Sequence, residues 1–497
     1  MLVLLRHFPT LNCRNSVTKL IHSDTTFVKN NEVVAQLRDS VRQGLSWDTL
    51  SKKFVDLEMS DSLVEKVLLE LKEPSEAKRA LGFFHWSAQH RDVRHSVEAY
   101  CVAVHILVRS RMMKDAQALL ESVLKNNEGV VVSALLDSYR ITSSSHYVFD
   151  LLVRTYSKLR MLDRAFEVCC YLEENGISLS VTTFNTLIHV AHRSDKAILA
   201  WKIYEHMFRA RTYPSEVTMR TMVNVLCKEG QLQKSVDVLD RIQGKRCSPM
   251  VIVNTSLVLR IVEEGRSEEG IVLLKRMLQK NIILDSVAFS LTVHANVEAD
   301  DLDSAWEVLE SMAKRGFQAN PFVYTSFIRA YFKQEKIDEA NRLMQEMGEI
   351  GLVPYNDTFN ILIEGCAKAG RNEESLNYCE SMVKLRMCPS CRAFNVMVQS
   401  LAEVDHLNKA NDLLTVLIDN SFEPDEVTYS HLITGFASTG EISVALKLYY
   451  EMKFRSLILG AMAFKVLRRG LQASGKLAEA EKLSTDMKDC HHIANSC

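Results

Sequence analysis

The chain repeats itself every 35 residues, and no other feature restricts its fold as strongly. Aligning Phe184-Asn185-Thr186-Leu187-Ile188 with Phe359-Asn360-Ile361-Leu362-Ile363 gives a separation of 175, which is five times 35. Stepping by 35 finds Phe149, Phe184, Met219, Asn254, Phe289, Tyr324, Phe359, Phe394, Tyr429 and Phe464 in one column, eight of the ten aromatic. Sixteen residues further, Ala165, Ala200, Ser235, Gly270, Ala305, Ala340, Ser375, Ala410, Ala445 and Ala480 are all small. Seven beyond that, a third column from Leu172 to Met487 holds only aliphatic residues and Met. Ten such units fill residues 146–495 without insertion or deletion.

Each unit carries two helical stretches. In the unit beginning at Val181, Phe184, Leu187, Ile188 and Ala191 have helical spacing, and Ala200, Trp201, Tyr204 and Met207 share a second face. A polar segment closes the unit, often with a proline near its end (Pro214, Pro249, Pro354, Pro389, Pro424), where it is expected to stop the second helix. The small column lets two antiparallel helices approach, and the aromatic and Met columns fill the space between hairpins. One hairpin cannot bury its own faces, so the units must stack. Composition agrees. Only 18 Gly and 8 Pro occur in 497 residues, too few turn formers for an all-β or doubly wound fold. The expected fold is an all-α solenoid of stacked helix-turn-helix repeats.

Upstream, Val97–Val131 keeps the same phase, with Tyr100 and Ala116 in the aromatic and small columns, so 97–145 is expected to be a first repeat extended by an insertion. Residues 31–96 contain a divergent helical pair around Leu63–Leu71 and Ala80–Trp86, expected to cap the array. Residues 1–23 hold Arg6, Arg14 and Lys19 and no acid, interleaved with apolar residues. That pattern predicts an organelle transit peptide over 1–30, mitochondrial first and plastid as the alternative. Residues 496–497 remain as a tail. Net charge is −2, so any nucleic-acid site must be local. The twelve cysteines form no compact framework, which favours a reducing compartment.

The period and segments such as Thr183–Ile188, Val427-Thr428-Tyr429 and Pro424-Asp425 resemble the pentatricopeptide repeat, and the resemblance covers most of the chain. Pro74–Trp86 is similar to the segment opening many plant members, and units uniformly 35 long resemble the P class. The resemblance implies a right-handed superhelix binding single-stranded organellar RNA, one base per repeat, and acting with other RNA-processing proteins.

On the first helix of each unit, the fifth, ninth and thirteenth residues lie four apart and form one line. The ninth column is polar in nine units of ten, and the thirteenth includes Lys158, Arg193, Lys228, Lys333 and Lys368, which a phosphate backbone could follow. A solvated helix face is the plainer reading of that line. The resemblance implies that the fifth and last residues read bases, since an amide or hydroxyl can match a Watson–Crick edge. It implies cytosine for Asn185 with Ser215, guanine for Thr255 with Asp285 and adenine for Ser290 with Asn320. Asn360 with Ser390 implies cytosine again, and Asn395 with Asp425 implies uracil. Thr325 with Tyr355, Arg220 with Met250, Asp150 with Ser180, Ser430 with Gly460 and Lys465 with Asn495 are hard to decode. The implied target is 5′-C-x-G-A-x-C-U-3′. At the second position, Val217, Ile252, Val287, Phe322 and Val427 suit stacking on a base, whereas Asp357 and Arg392 do not.

Catalytic features are thin. Cys388-Pro389-Ser390-Cys391 has metal-ligand spacing but straddles a repeat junction, and Cys490-His491-His492 with Cys497 lies in a tail. No His-x-Glu deaminase signature, P-loop or dinucleotide fingerprint occurs, and the expectation is a chain with no catalytic domain and no cofactor. The expected function is a non-enzymatic, sequence-specific RNA adaptor on mitochondrial transcripts, serving stabilisation, splicing or translation. The alternative is a helical-repeat scaffold that binds protein.

Overall fold

The computed structural model describes residues 24–89, 95–126, 129–142, 144–403 and 406–494. Arg6, Arg14, Lys19, Asn495 and Cys497 lie outside them, as do most of the expected transit peptide and the side chains of Met487, Cys490, His491 and His492. Among the described residues there are 27 α-helices and no strand. No helix among them is long and apolar enough to cross a membrane. The chain divides into two compact units, residues 1–229 and 230–497.

In the first unit, Asp24–Arg42, Trp47–Lys53, Asp61–Glu70 and Ala77–Gln89 precede the regular array. Trp86 donates its indole N–H to Ser51 Oγ at 2.8 Å and stacks on Trp47 at 6.3 Å. Val97–Arg109 pairs with Met113–Asn126, and the insertion that follows is itself a helix, Val131–Thr142. The insertion helix packs on Val97–Arg109, and the buried His105 donates Nε2–H to the Leu135 carbonyl at 2.9 Å. Downstream, the first helix Val181–Arg193 packs on its own second helix, Ala197–Arg209, and on the neighbouring first helices Tyr147–Lys158 and Glu216–Lys228.

The second unit stacks in the same way. Asn356–Lys368 packs on Asn372–Lys384 and on Cys391–Glu403. The periodic columns become the core. Ala165, Ala200, Ala305, Ala340, Ser375, Ala410 and Ala445 are fully buried where the paired helices touch. Met382, Phe394, Ala410 and Tyr429, from three successive repeats, belong to one continuous core. Truncating a ring such as Phe394 to Ala would cost about 3–5 kcal/mol by transfer and cavity formation.

The prolines do not end the second helices. Ile337–Glu349 stops five residues before Pro354, and Asn372–Lys384 stops five before Pro389. Backbone in the left-handed region ends them instead, at Gly351 (φ 77°) and Arg386 (φ 58°). There the N–H two residues past the helix cap returns to a carbonyl five back, as Leu352 does to Met347 at 3.0 Å. A second left-handed position recurs between the paired helices, at Arg160, Asp195, Asp300, Glu335 and Gly370 among others, again 35 residues apart or a multiple of it.

Candidate nucleic-acid interface

The last residue of a unit begins the next helix. Ser180, Ser215, Asn320 and Asp425 each cap a first helix, their side-chain oxygens accepting the N–H three residues on at 3.4, 3.4, 3.2 and 2.8 Å. Ser390 Oγ accepts from Ala393 N–H at 3.1 Å. Capping oxygens satisfy backbone donors that helical geometry leaves unpaired, which explains the polar column in structural terms alone.

The fifth residue reaches thirty residues forward to that cap. Asn185 Nδ2 donates to Ser215 Oγ at 3.1 Å, and Asn395 Nδ2 donates to Asp425 Oδ1 at 3.1 Å. In the unit between Ser290 and Asn320 the direction reverses, with Asn320 Nδ2 donating to Ser290 Oγ at 2.8 Å. Asn360 Oδ1 accepts the backbone N–H of Ser390 at 2.9 Å. Asp150 Oδ1 accepts from Ser180 N–H at 2.9 Å and from Ser180 Oγ at 2.7 Å. Four of the decodable pairs are therefore joined. Thr255 and Asp285 are not: Thr255 is buried with Oγ1 unpartnered among the described residues, while Asp285 is exposed. Thr325 is bound to Thr358 Oγ1 at 2.7 Å and not to Tyr355.

The first part of the second compact unit is covered. The helix Leu232–Gln243 packs on three first helices, Pro249–Glu263, Asp285–Glu298 and Pro321–Lys333. Its Ser235 hydroxyl meets Ser256 Oγ at 2.6 Å, its Gln243 bonds Ser286, and its Arg241 pairs with Asp357 and lies over the Tyr355 ring at 5.0 Å. In the helices it covers, Thr255, Ser290 and Thr325 are all buried. The stacking candidates divide accordingly. Val217 and Val427 are 58% and 48% exposed, Ile252 is half-buried, and Val287 and Phe322 are buried and present no open face. Asp357 is held by Arg241, and Arg392 pairs with Glu364 at 3.3 Å.

The cations of the thirteenth column are mostly neutralised. Lys158 pairs with Glu121 at 2.6 Å, Lys228 with Asp195, Lys333 with Glu298 at 3.1 Å and Lys368 with Glu364 at 3.7 Å. Arg193 is exposed, with no ion pair among the described residues. Exposed pairs are worth about 0–1 kcal/mol each, so exchanging a carboxylate for a phosphate costs little. Burial acts to raise the Asp425 carboxyl. Hydrogen bonds from the Thr428 N–H and the Asn395 amide outweigh it and hold the group below the ordinary carboxylate range. Burial pushes His294, in the ninth column, down to about 4, so it is neutral near pH 7.

Cys388 and Cys391 do not converge. Their thiols face separate backbone carbonyls, Asn420 and Glu423, each at 3.3 Å. Among the described residues no cluster of three or more His, Cys, Asp and Glu is arranged to hold a metal. Sequence reasoning missed the column at the third position of each repeat. Thr183, Thr218, Thr358 and Thr428 are fully buried and each bonds the fifth residue of the preceding repeat. Their spacing in multiples of 35 was the available signal.

Family models agree with this periodicity. A PPR repeat family model matches residues 180–228 and 319–368, and a PPR repeat model matches 217–247, 357–387 and 427–457. These stretches of the chain are pentatricopeptide repeats. A mitochondrial pentatricopeptide repeat-containing protein of Arabidopsis thaliana is 47% identical over 238 residues, 46% of this chain and 44% of the relative. The chain thus spans less than half the length of that relative. Among solved structures, the pentatricopeptide repeat protein PPR10 from maize is similar at 15% identity and a TM-score of 0.37, covering 93% of this chain and 80% of PPR10. PPR10 in complex with an 18-nucleotide psaJ RNA element is similar at 14% identity and a TM-score of 0.29, covering 90% and 88%.

Proposed function

We propose that this chain is a P-class pentatricopeptide repeat protein, a sequence-specific adaptor for single-stranded RNA, acting without catalysis on mitochondrial transcripts. The observation that carries the reading is the recurrence of one constellation: a polar fifth residue hydrogen-bonded, thirty residues on, to a polar cap. It occurs at Asn185 with Ser215, Ser290 with Asn320, Asn360 with Ser390 and Asn395 with Asp425. Each joined pair keeps unused donors and acceptors, because an amide has two N–H groups and an oxygen with two lone pairs. Val217 and Val427 stand exposed beside the first and last of these pairs, as apolar surface on which a base can rest. A mitochondrial site of action is supported by the transit-like N-terminus and by the mitochondrial relative. Occupying a stretch of transcript would shield it from exonucleases or from competing base pairing.

Titration of the folded chain with a single-stranded RNA carrying 5′-C-x-G-A-x-C-U-3′ tests the reading. Binding should weaken with salt, log K falling against log salt by roughly 0.7 per phosphate neutralised. A folded sample that binds neither this RNA nor mitochondrial transcripts, but retains a protein partner, would replace the adaptor by a protein-binding scaffold.

A further inference from the structure

The amide of a reading asparagine looks the same from either end unless something distinguishes its oxygen from its nitrogen. Turned one way it offers a base a donor, turned the other an acceptor. Two asparagines have their amides set by partners on both sides. Thr218 Oγ1 accepts the Ser215 backbone N–H at 2.9 Å, so its own proton points to Asn185 Oδ1 at 2.5 Å. Asn185 Nδ2 is left to face Ser215 Oγ. Around Asn395 the polarity is set from the other end. The Asp425 carboxylate is acceptor-only and draws Nδ2 at 3.1 Å; the Thr428 hydroxyl lies 2.6 Å from Asn395 Oδ1 and 2.9 Å from Asp425 Oδ1, and its one proton goes to the nearer oxygen, Asn395 Oδ1. Both threonines are fully buried, so neither can itself touch a polynucleotide.

The chain supplies its own comparison. Asn360 is followed in the next repeat by Ala393, which has no hydroxyl, and its Oδ1 turns to the Ser390 backbone N–H at 2.9 Å. Thr255 is followed by Ala288, and its Oγ1 is left unpartnered. We infer that the third-position threonine of the following repeat, Thr218 for Asn185 and Thr428 for Asn395, is a positioning residue that fixes which amide edge meets the base. This rests on the RNA-adaptor reading and adds to it a residue outside the two reading columns. The specificity of a repeat then depends on three side chains, one of them buried in its neighbour.

The test compares four RNA oligonucleotides that differ only in the base opposite Asn395, bound to the full chain and to Thr428→Val and Thr428→Ser. Valine keeps the β-branched shape and loses the hydroxyl; serine keeps the hydroxyl. Thr428→Val should reduce the preference among the four bases at that position by about fivefold, the weight of one neutral hydrogen bond, with preference elsewhere unchanged. Thr428→Ser should keep it. Ala393→Thr, which adds a hydroxyl beside Asn360, should alter the preference at the Asn360 position alone. A preference in Thr428→Val equal to that of the unaltered chain overturns the inference and leaves the adaptor reading standing. A uniform loss of affinity for all four RNAs overturns it too, since that is what a structural role would produce. An unaltered chain with no preference at any position removes the adaptor reading, and this inference with it.

Discussion

Asn395 and Asp425, thirty residues apart in sequence, meet at 3.1 Å with the amide nitrogen facing the carboxylate. The same carboxylate accepts the Thr428 N–H at 2.8 Å and so caps the helix Glu426–Ser438. One side chain therefore caps a helix and, in the proposed function, faces the base, and substitution can separate the two. Asp425→Ala should cost about 1 kcal/mol of stability through the lost cap. Asp425→Ser retains a capping oxygen and should cost a few tenths of that, while changing which base is preferred opposite Asn395. Urea denaturation alongside RNA titration reads both effects; equal stability losses in the two variants would contradict the capping role.

Glu335 holds φ at 60° in the turn between the helices Pro321–Lys333 and Ile337–Glu349, where the next repeat has Gly370 at φ 72°. Glutamate is strained there, because its Cβ crowds the following carbonyl. The geometry is imposed by the turn, in which Lys336 N–H returns to the Tyr331 carbonyl at 2.9 Å. Glu335 is exposed and makes no ion pair among the described residues. Glu335→Gly should therefore stabilise the second unit by about 0.5–1 kcal/mol, the relief of strain exceeding the added freedom of the unfolded chain. A lower urea midpoint in the variant would refute this.

The fold was legible because its signal is redundant. Ten copies of one pattern place Phe184, Ala200 and Met207 in the core as surely as any single copy could suggest, and all three are buried. Helix ends were less legible. Pro354 attracted the reading of a stop signal, whereas termination falls on a left-handed residue several positions earlier, and at Arg386 or Glu335 that residue carries no glycine to announce it. The candidate interface was legible as columns and not as contacts. Nothing in the sequence of Lys228 or Lys333 shows that an acid from the neighbouring repeat sits beside each. Nor does the sequence of Leu232–Gln243, whose Leu239 and Ile242 fit the repeat pattern, reveal that it lies across three first helices.

Stability in the first unit should depend on pH through His105. Burial lowers its pKa from 6.5 to about 4, against the weaker opposing effect of its bond to the Leu135 carbonyl. Folded, the ring stays neutral down to about pH 4; unfolded, it takes a proton below about 6.5. The unfolded state then binds more protons within that window, so stability falls as pH drops through it. At pH 4.5 the loss should be about 2–3 kcal/mol relative to pH 7. His105→Asn keeps a donor for Leu135 and does not titrate. Hydrogen exchange in Val97–Arg109, followed at both pH values, should show a smaller change in this variant than in the unaltered chain; an identical change would place the acid sensitivity elsewhere.

Arg241 is the contact that distinguishes the covering helix from the rest of the array. It pairs with Asp357 while lying over the Tyr355 ring at 5.0 Å, and its side chain is 21% exposed. Lys234, on the same helix, pairs with Glu263 at 2.7 Å, but both side chains are more than half exposed. Solvent screens the second pair far more than the first, and only the first adds a guanidinium–ring contact. Arg241→Ala should loosen Leu232–Gln243 by about 1 kcal/mol, seen as roughly fivefold faster hydrogen exchange in that helix. Lys234→Ala should change exchange there by less than about twofold. The buried hydroxyls of Thr255 and Ser290 sit in helices that this one covers, so exchange in Pro249–Glu263 and Asp285–Glu298 should rise with it in Arg241→Ala. If the two variants behave alike, the helix is held by its apolar face, Val238, Leu239 and Ile242, and Arg241 is incidental to its docking.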